Sequence, residues 1–432
     1  MKIIESAKIQ EKIYEETLEN GLTVLIVPRS TTEKKYVIWG TKFGSVDNHF
    51  IMPGSGEEVY IPDGVAHFLE HKMFEQPDGT NSLDTLMALG VDANAYTTND
   101  HTAYLFECTD HFEEALAELM NYVQHPHFTD QNVEKEKGII GQEIRMYDDD
   151  PAWTLYLNAM DCLYTQNPIK IDIAGTIESI SEINPDVLYK CYNTFYHPSN
   201  MVLVVSGNVE PEEVLKTIQG HLLERPKQEE IKRIYPEPDR TVKSHEKIHS
   251  AEVSTPIFMI GILDPTTEQK DQVKKHMGIE IALDLLIGRS SKLYQMLYNE
   301  GNLSTQPDGD YEFSKEYAHI LIASQSKDPR RVYQAFREEI KKMQENGVLE
   351  KDFLRSKKKL YGKYVMEYND IDSIARMLLA DTVKGIQSFE YIERYEEITK
   401  EYVEEILKTY FQEENMILSI VENQNVIAEN EN

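Results

Sequence analysis

The sequence predicts an α+β protein of two homologous domains, each a mostly antiparallel sheet with helices packed on one side. Three observations predict it. At 432 residues the chain is longer than one hydrophobic core usually serves. A polar, proline-bearing stretch, Glu224-Arg225-Pro226-Lys227-Gln228-Glu229-Glu230 and then Pro236-Glu237-Pro238, interrupts it near the middle. On either side of that stretch one order recurs: strand, helix, strand, a run of helices, and a late hydrophobic strand. The expected division is a first domain over 1–225, a linker over 226–245 and a second domain over 246–432.

Each element has a local reason. Residues 15–29 read as strand, turn, strand, because Asn20-Gly21 suits a tight turn and the β-rich run Leu22 to Val27 is stopped by Pro28. Tyr36 to Phe43 is a further strand of β-branched and aromatic residues. Asp63 is the expected N-cap of a helix from about Val65 to Phe74. Ser82 to Leu89 is a short helix closed by Gly90. Ala93 to Tyr96 and Thr102 to Glu107 read as paired strands turning at Thr98-Asn99-Asp100. His111 to Val123 and Gln131 to Tyr147 are amphipathic helices, the second broken by Pro151. Met201 to Ser206 is a buried-strand run, and Pro211 leads into another helix. In the second half a strand (about 250–262), a helix (268–287), a strand (317–324), helices (328–345 and 350–380) and a final strand, Met416 to Val421, follow in order. Lys357-Lys358-Lys359 reads as a solvated face of the last helix.

Composition narrows the function. Hydrophobic residues at 41% and charged residues at 28% are globular proportions. With 75 acids against 44 bases, the formal charge of −31 opposes nucleic-acid binding, which works by neutralising phosphates. The excess serves either a solvated surface or an acidic cavity that attracts cationic peptides; composition does not separate the two. Cys108, Cys162 and Cys191 are far apart and odd in number, so a reducing compartment fits better than a disulfide framework. Early charges at the N-terminus and the lack of any run of ~18 apolar residues argue for a cytoplasmic protein with no membrane partner.

The chemistry concentrates in His67-Phe68-Leu69-Glu70-His71. On a helix, positions i and i+4 share a face, so both imidazoles reach one metal ion. Glu70 borders that face and suits the role of proton acceptor beside a zinc site. Two histidines flanking a glutamate on an amphipathic helix also occur without metal. A third ligand is needed, and the helix at 131–147 offers Glu134, Glu136 and Glu143. Glu136 and Glu143 lie two turns apart on one face; the nearer would ligate, and the other could accept a hydrogen bond from a ligand imidazole.

These residues, with Lys135-Glu136-Lys137-Gly138-Ile139-Ile140-Gly141-Gln142-Glu143-Ile144-Arg145-Met146-Tyr147 and the acidic exit before Pro151, resemble the pitrilysin/insulinase (M16) family of zinc peptidases. Asn20-Gly21-Leu22-Thr23-Val24 is similar to its opening strand pair, Asn94-Ala95-Tyr96-Thr97 to its substrate-edge strand, and Phe195-Tyr196-His197-Pro198 to the approach to its late strand. The resemblance covers most of 15–220, and His67 to Glu75 is most like the bacterial YmfH-type members. It implies that His67, His71 and Glu143 bind Zn2+, since Glu143 follows His71 by 72 residues, close to the family's separation. It further implies Glu70 as general base, Glu136 as the acid supporting the ligands, and Asn94 and Ala95 as groups that receive a peptide as an added strand.

One departure matters. The family's second domain usually carries an Arg and a Tyr that hold the substrate carbonyl, and Tyr298 and Thr305 stand at those positions here. Stabilising the developing oxyanion takes donors besides the metal. The resemblance therefore implies a zinc-bearing subunit of a chambered heterodimer whose paralogous partner supplies Arg and Tyr, with a homodimer as the nearer alternative. The expected activity is endopeptidase cleavage of extended or unfolded peptides. A non-catalytic assembly subunit of the same fold is the rival reading, and a zinc hydrolase of non-peptide amides fits the site chemistry equally well.

Overall fold

The computed structural model describes residues 1–265 and 271–423. In chain order its strands are β1 (Lys2–Ser6), β2 (Glu11–Thr17), β3 (Thr23–Pro28), β4 (Lys35–Thr41), β5 (His49–Ile51), β6 (Glu58–Tyr60), β7 (Asp92–Thr97), β8 (Thr102–Cys108), β9 (Met201–Gly207), β10 (Lys232–Arg233), β11 (Glu246–Ser250), β12 (Ile257–Leu263), β13 (Asp308–Phe313), β14 (Ala318–Gln325) and β15 (Met416–Glu422). Its helices are α1 (Val65–Lys72), α2 (Ser82–Ala88), α3 (Phe112–Gln124), α4 (Asp130–Asp148), α5 (Pro151–Leu163), α6 (Ile177–Ser181), α7 (Pro185–Phe195), α8 (Pro211–His221), α9 (Gln272–Ile287), α10 (Lys292–Asn299), α11 (Pro329–Asn346), α12 (Glu350–Glu367), α13 (Ile371–Lys384), α14 (Glu390–Arg394) and α15 (Lys400–Tyr410).

Two sheets of matching topology organise these elements, making an α+β protein of two domains. The first runs β1-β2-β3-β9-β4-β8-β7 and the second β11-β15-β12-β14-β13. Parallel β3/β9 corresponds to parallel β11/β15, and the remaining pairs of the shared five strands are antiparallel in both. Helices match too: α1, α4, α5 and α7 fall in the chain order of the first half where α9, α12, α13 and α15 fall in the second. Strands β5, β6 and β10 form a small separate sheet.

Compactness divides the chain differently from its sequence repeat. One unit comprises 1–144, 171–235 and 365–389; the other comprises 145–170, 236–364 and 390–432. We propose 226–245 as the boundary between the two copies of the repeat, while the segments holding α5 and α13 exchange between units. In each unit most helices lie on one face of the sheet and the exchanged helix covers the other. Val37, Trp39, Tyr104 and Phe106 pack with Phe68 and Leu69 of α1 in one core. On the reverse face α13 packs on β4 and β9, and in the second unit α5 packs on β12 and β15. Gly40 of β4 makes room for this: a Cβ there would come within 2.6 Å of Leu379 on α13. Gly261 of β12 does the same for Leu163 of α5, at 3.1 Å.

Several local expectations change. Pro151 ends nothing by itself: it sits in the first turn of α5, where no backbone donor is missed, and Asp150 caps that helix through the Ala152 N–H at 2.8 Å. The single helix expected over 350–380 is two, α12 and α13, broken at Tyr368-Asn369-Asp370. Lys357 is not on a solvated face; it is buried and donates to the Ile398 carbonyl at 2.8 Å. Asp63 does not cap α1. Gly64 does, with φ 90°, and Asp63 accepts from the Asn48 amide instead. The start expected for the helix at 268 falls partly outside the described residues, where α9 is seen from Gln272. All three cysteines are buried and unbonded. Among the described residues, no helix is long and apolar enough to cross a membrane.

Candidate active site

The site lies within the first unit, on α1, α4 and β7. Phe68 and Leu69 are fully buried and anchor α1, which turns His67, Glu70 and His71 along its other edge. Buried Val133, Ile140 and Ile144 anchor α4 in the same core. Glu136 and Glu143 are therefore both presented to α1, whereas Glu134 stays exposed and pairs with Lys137.

His67, His71 and Glu143 each offer a donor atom within 4.8 Å of the others. The His67 Nε2 lies 3.7 Å from Glu143 Oε1, and the His71 Nε2 lies 3.6 Å from Glu143 Oε2. Tetrahedral zinc with bonds of about 2.0–2.1 Å spaces its donors roughly 3.3 Å apart, so this set fits zinc with little adjustment. It does not suit calcium, which takes about six to eight oxygens. Glu136 is not part of the set. Its Oε1 meets the other nitrogen of His71, Nδ1, at 3.1 Å.

Protonation follows burial and these neighbours. Burial, helped by repulsion from His71, pushes the His67 imidazole down to about 3, which leaves it neutral, the form that binds metal. Burial opposes protonation of His71 as well, but the Glu136 hydrogen bond and the carboxylates of Glu70, Glu136 and Glu143 outweigh it and raise its pKa. Glu136 is held below the usual carboxylate range, since His71 and Lys72 overcome its burial. Glu70 moves the other way. Burial and the nearby Glu143 raise it against the opposing Thr97 bond and His71, toward the range where a carboxylate takes and returns a proton.

Two neighbours escaped the sequence. Thr97, at the end of β7, donates to Glu70 Oε2 at 2.6 Å and ties the candidate base to the sheet edge. Lys72 is fully buried and sits 3.5 Å from Glu136, with Glu75 as its other partner. A lysine directly after His71, at a core position of an otherwise apolar helix face, was the available signal. By contrast, His67 Nδ1 is buried with no hydrogen-bond partner among the described residues, so no acceptor orients that ring as Glu136 orients His71.

β7 is the outer strand of its sheet, so one row of its backbone groups is open to pairing. Asn94 and Ala95 stand on it as expected. The Ala95 N–H is taken by the Asn94 side-chain oxygen at 2.8 Å, an internal cap that an incoming strand has to displace. The two residues at the family's Arg and Tyr positions lie in the second unit. Tyr298 is 54% exposed on α10, and Thr305 is exposed in the loop that follows.

Residues 50–177 match the family model of insulinase (peptidase family M16), and residues 182–360 match that of the peptidase M16 inactive domain. The chain is 37% identical to the uncharacterized zinc protease YmfH of Bacillus subtilis, over 94% of this chain and 96% of that one. A crystal structure of a candidate M16-like peptidase from Alicyclobacillus acidocaldarius superposes with a TM-score of 0.92 at 32% identity, covering 98% of this chain and 100% of that one. The periplasmic protease PqqL of Escherichia coli shares the fold at a TM-score of 0.74 and 18% identity, with 99% of this chain matching 49% of that chain. Sheet topology, the His67/His71/Glu143 cluster and near-full-length identity converge, and the chain belongs to the insulinase (M16) peptidase family.

Proposed function

We propose that this protein is a zinc-dependent endopeptidase for extended or unfolded peptides, and that it works as the zinc-bearing subunit of a heterodimer. The observation that carries the reading is the placement of both His Nε2 atoms at 3.6–3.7 Å from one carboxylate, with a raised Glu70 beside them. His67, His71 and Glu143 would hold the ion. Bound zinc supplies Lewis acidity toward water and a substrate carbonyl. Glu70 takes the proton from the attacking water and returns it to the leaving amine. Thr97 fixes the Glu70 carboxylate; Glu136 orients His71; Lys72 keeps Glu136 ionised by balancing its charge. Substrate pairs with the open edge of β7 at Asn94 and Ala95, which suits extended chains and discriminates against folded ones.

The pairing proposal rests on Tyr298 and Thr305, neutral hydroxyls that bring no positive charge to an oxyanion where the family carries an Arg. A homodimer remains the alternative. A cytoplasmic location is proposed from the three unbonded thiols, and cell fractionation checks it.

The experiment is metal content together with cleavage of quenched fluorescent peptides, by the chain alone and with each paralogous subunit, for the parent and Glu70→Gln. Zinc near one per chain, with cleavage only in the parent, supports the reading. Full activity of a lone monomer removes the heterodimer. Zinc without cleavage under every pairing favours a non-catalytic subunit, the second reading.

A further inference from the structure

The face of β7 turned away from the candidate metal site carries an arrangement that the proposed chemistry does not use. Alternation along the sheet sets the two faces. Ala93 and Ala95 pack with the core that holds α1, and Thr97 bonds Glu70 on that side. Asn94 and Tyr96 therefore point to the reverse face, where α13 lies against β4. From α13, a helix 280 or so residues further along the chain but part of the same unit, Arg376 reaches over this face. Its guanidinium stands 5.1 Å from the Tyr96 ring and 5.8 Å from the Tyr36 ring.

Arg376 makes no ion pair with any described carboxylate, although the chain holds 75 acids against 44 bases. It is exposed, while most of Tyr36 is buried and its hydroxyl finds no hydrogen-bond partner at normal geometry. Burial keeps that phenol protonated, with Arg376 opposing only in part. A guanidinium held between two rings is pre-oriented, so less freedom is lost when it binds an anion.

An added strand on β7 sends alternate side chains to the two faces. Those on one face go toward His67, Glu70 and His71. Those on the other pass Tyr96 and Arg376. We propose that Arg376, with Tyr96, forms a specificity subsite for an acidic side chain of a peptide paired with β7. This rests on the peptidase reading above for its substrate and on the reverse face of β7 for its chemistry. Arg376 touches substrate here but no reacting atom, so it sets which peptides bind, not how they are cut.

The test measures binding rather than turnover. Labelled, C-terminally amidated extended peptides carry a single Glu, or Gln in its place, at successive positions, and fluorescence anisotropy gives their affinity for the full-length, zinc-loaded Glu70→Gln protein. At positions of one alternate register, Glu binds about fivefold tighter than Gln, the scale of a partly exposed ion pair. In the Arg376→Met background the ratio falls to about one, and Arg376→Glu reverses it in favour of a Lys peptide. Arg376→Lys keeps part of the preference and stands in if the Met variant fails to fold. A ratio near one at every position in the parent, a ratio unchanged by Arg376→Met, or no peptide binding at all overturns the subsite. Cleavage by protein with Glu70 intact, alone and with each paralogous subunit, is scored separately: a Glu preference in binding without hydrolysis under any pairing refutes the peptidase reading and leaves the subsite standing.

Discussion

The first unit places α1 against α4, and the second uses α9 and α12 at the same points of the same topology, yet the charges are arranged in opposite senses. On α1 stand two imidazoles, and α4 answers with carboxylates; the donors converge on Glu143, and the one ammonium of α1, Lys72, pairs with Glu136 instead. On α9, His276 and Glu280 are one turn apart, much as His67 and His71 are. There α12 answers with Lys363, 3.1 Å from Glu280, and with Tyr364, which also donates to it. Asp284 is matched likewise by Ser356 and Lys359. One frame thus has two solutions. Two imidazoles converging on one carboxylate offer three donors to an external cation, while a carboxylate facing an ammonium is neutralised from within the chain. The two copies share the frame, and among the described residues only the side chains of α1 and α4 bring three metal-donor groups together.

The largest effect that could break this contrast is loss of metal. His67→Ala or His71→Ala should take zinc from near one per chain to near none, and hydrolysis with it, while His276→Ala leaves zinc unchanged; elemental analysis after dialysis reads all three. Zinc lost on changing His276 would end the contrast. Next in size is Glu70→Gln, which should keep the metal and lower kcat by about 10²–10⁴-fold, the usual contribution of a positioned general base. Turnover is measured with whichever subunit restores full activity.

A smaller effect sharpens the role of the supporting residues. Glu136→Gln and Lys72→Met should each weaken zinc binding by roughly 10–100-fold without abolishing it, because His71 loses its orienting acceptor or that acceptor loses its balancing charge. Competition with a chromogenic chelator measures it, and affinity equal to the parent in both variants would remove Lys72 and Glu136 from the site.

The smallest expected effect lies in the second unit. Glu280→Gln should cost about 1–3 kcal/mol at pH 7, the scale of a lost charge-assisted bond in a buried setting. Burial alone would raise the Glu280 carboxyl, but His276, Lys363 and Tyr364 hold it below the usual range. A depressed native pKa means that the unfolded chain binds more protons on acidification. The stabilisation is therefore present above the ordinary glutamate value of about 4.3 and is lost as pH falls through the lower native value. The gap between parent and variant in urea unfolding should shrink with acid and leave zinc content untouched. A gap that widens would mean the carboxyl is not held as described.

The line from sequence to structure was shortest where spacing is local. HxxEH on a helix put His67 and His71 on one face whatever surrounded them, and the spacing of Glu136 and Glu143 did the same on α4. Alternation placed β7 and β8, and the two late apolar runs became β9 and β15. Local pattern was also enough to suggest two copies of one unit. It could not show that Pro151 begins α5 or that α12 stops before Asp370, because a proline and a polar break read equally as an end or a beginning until packing chooses.

What only the tertiary structure decided are relations between distant residues. Which acid lies nearest the two imidazoles depends on how α4 packs, so residue type left Glu136 and Glu143 open until a family resemblance chose; the fold brings Glu143 to both Nε2 atoms and Glu136 to Nδ1 of His71. Thr97 reaches Glu70 because β7 runs past α1, and Arg376 reaches Tyr96 because α13 covers the first sheet. Sequence by itself determines periodicity, and hence faces and charge along each element. Contacts across hundreds of residues are set by which apolar faces bury one another, and that information is spread over the whole chain.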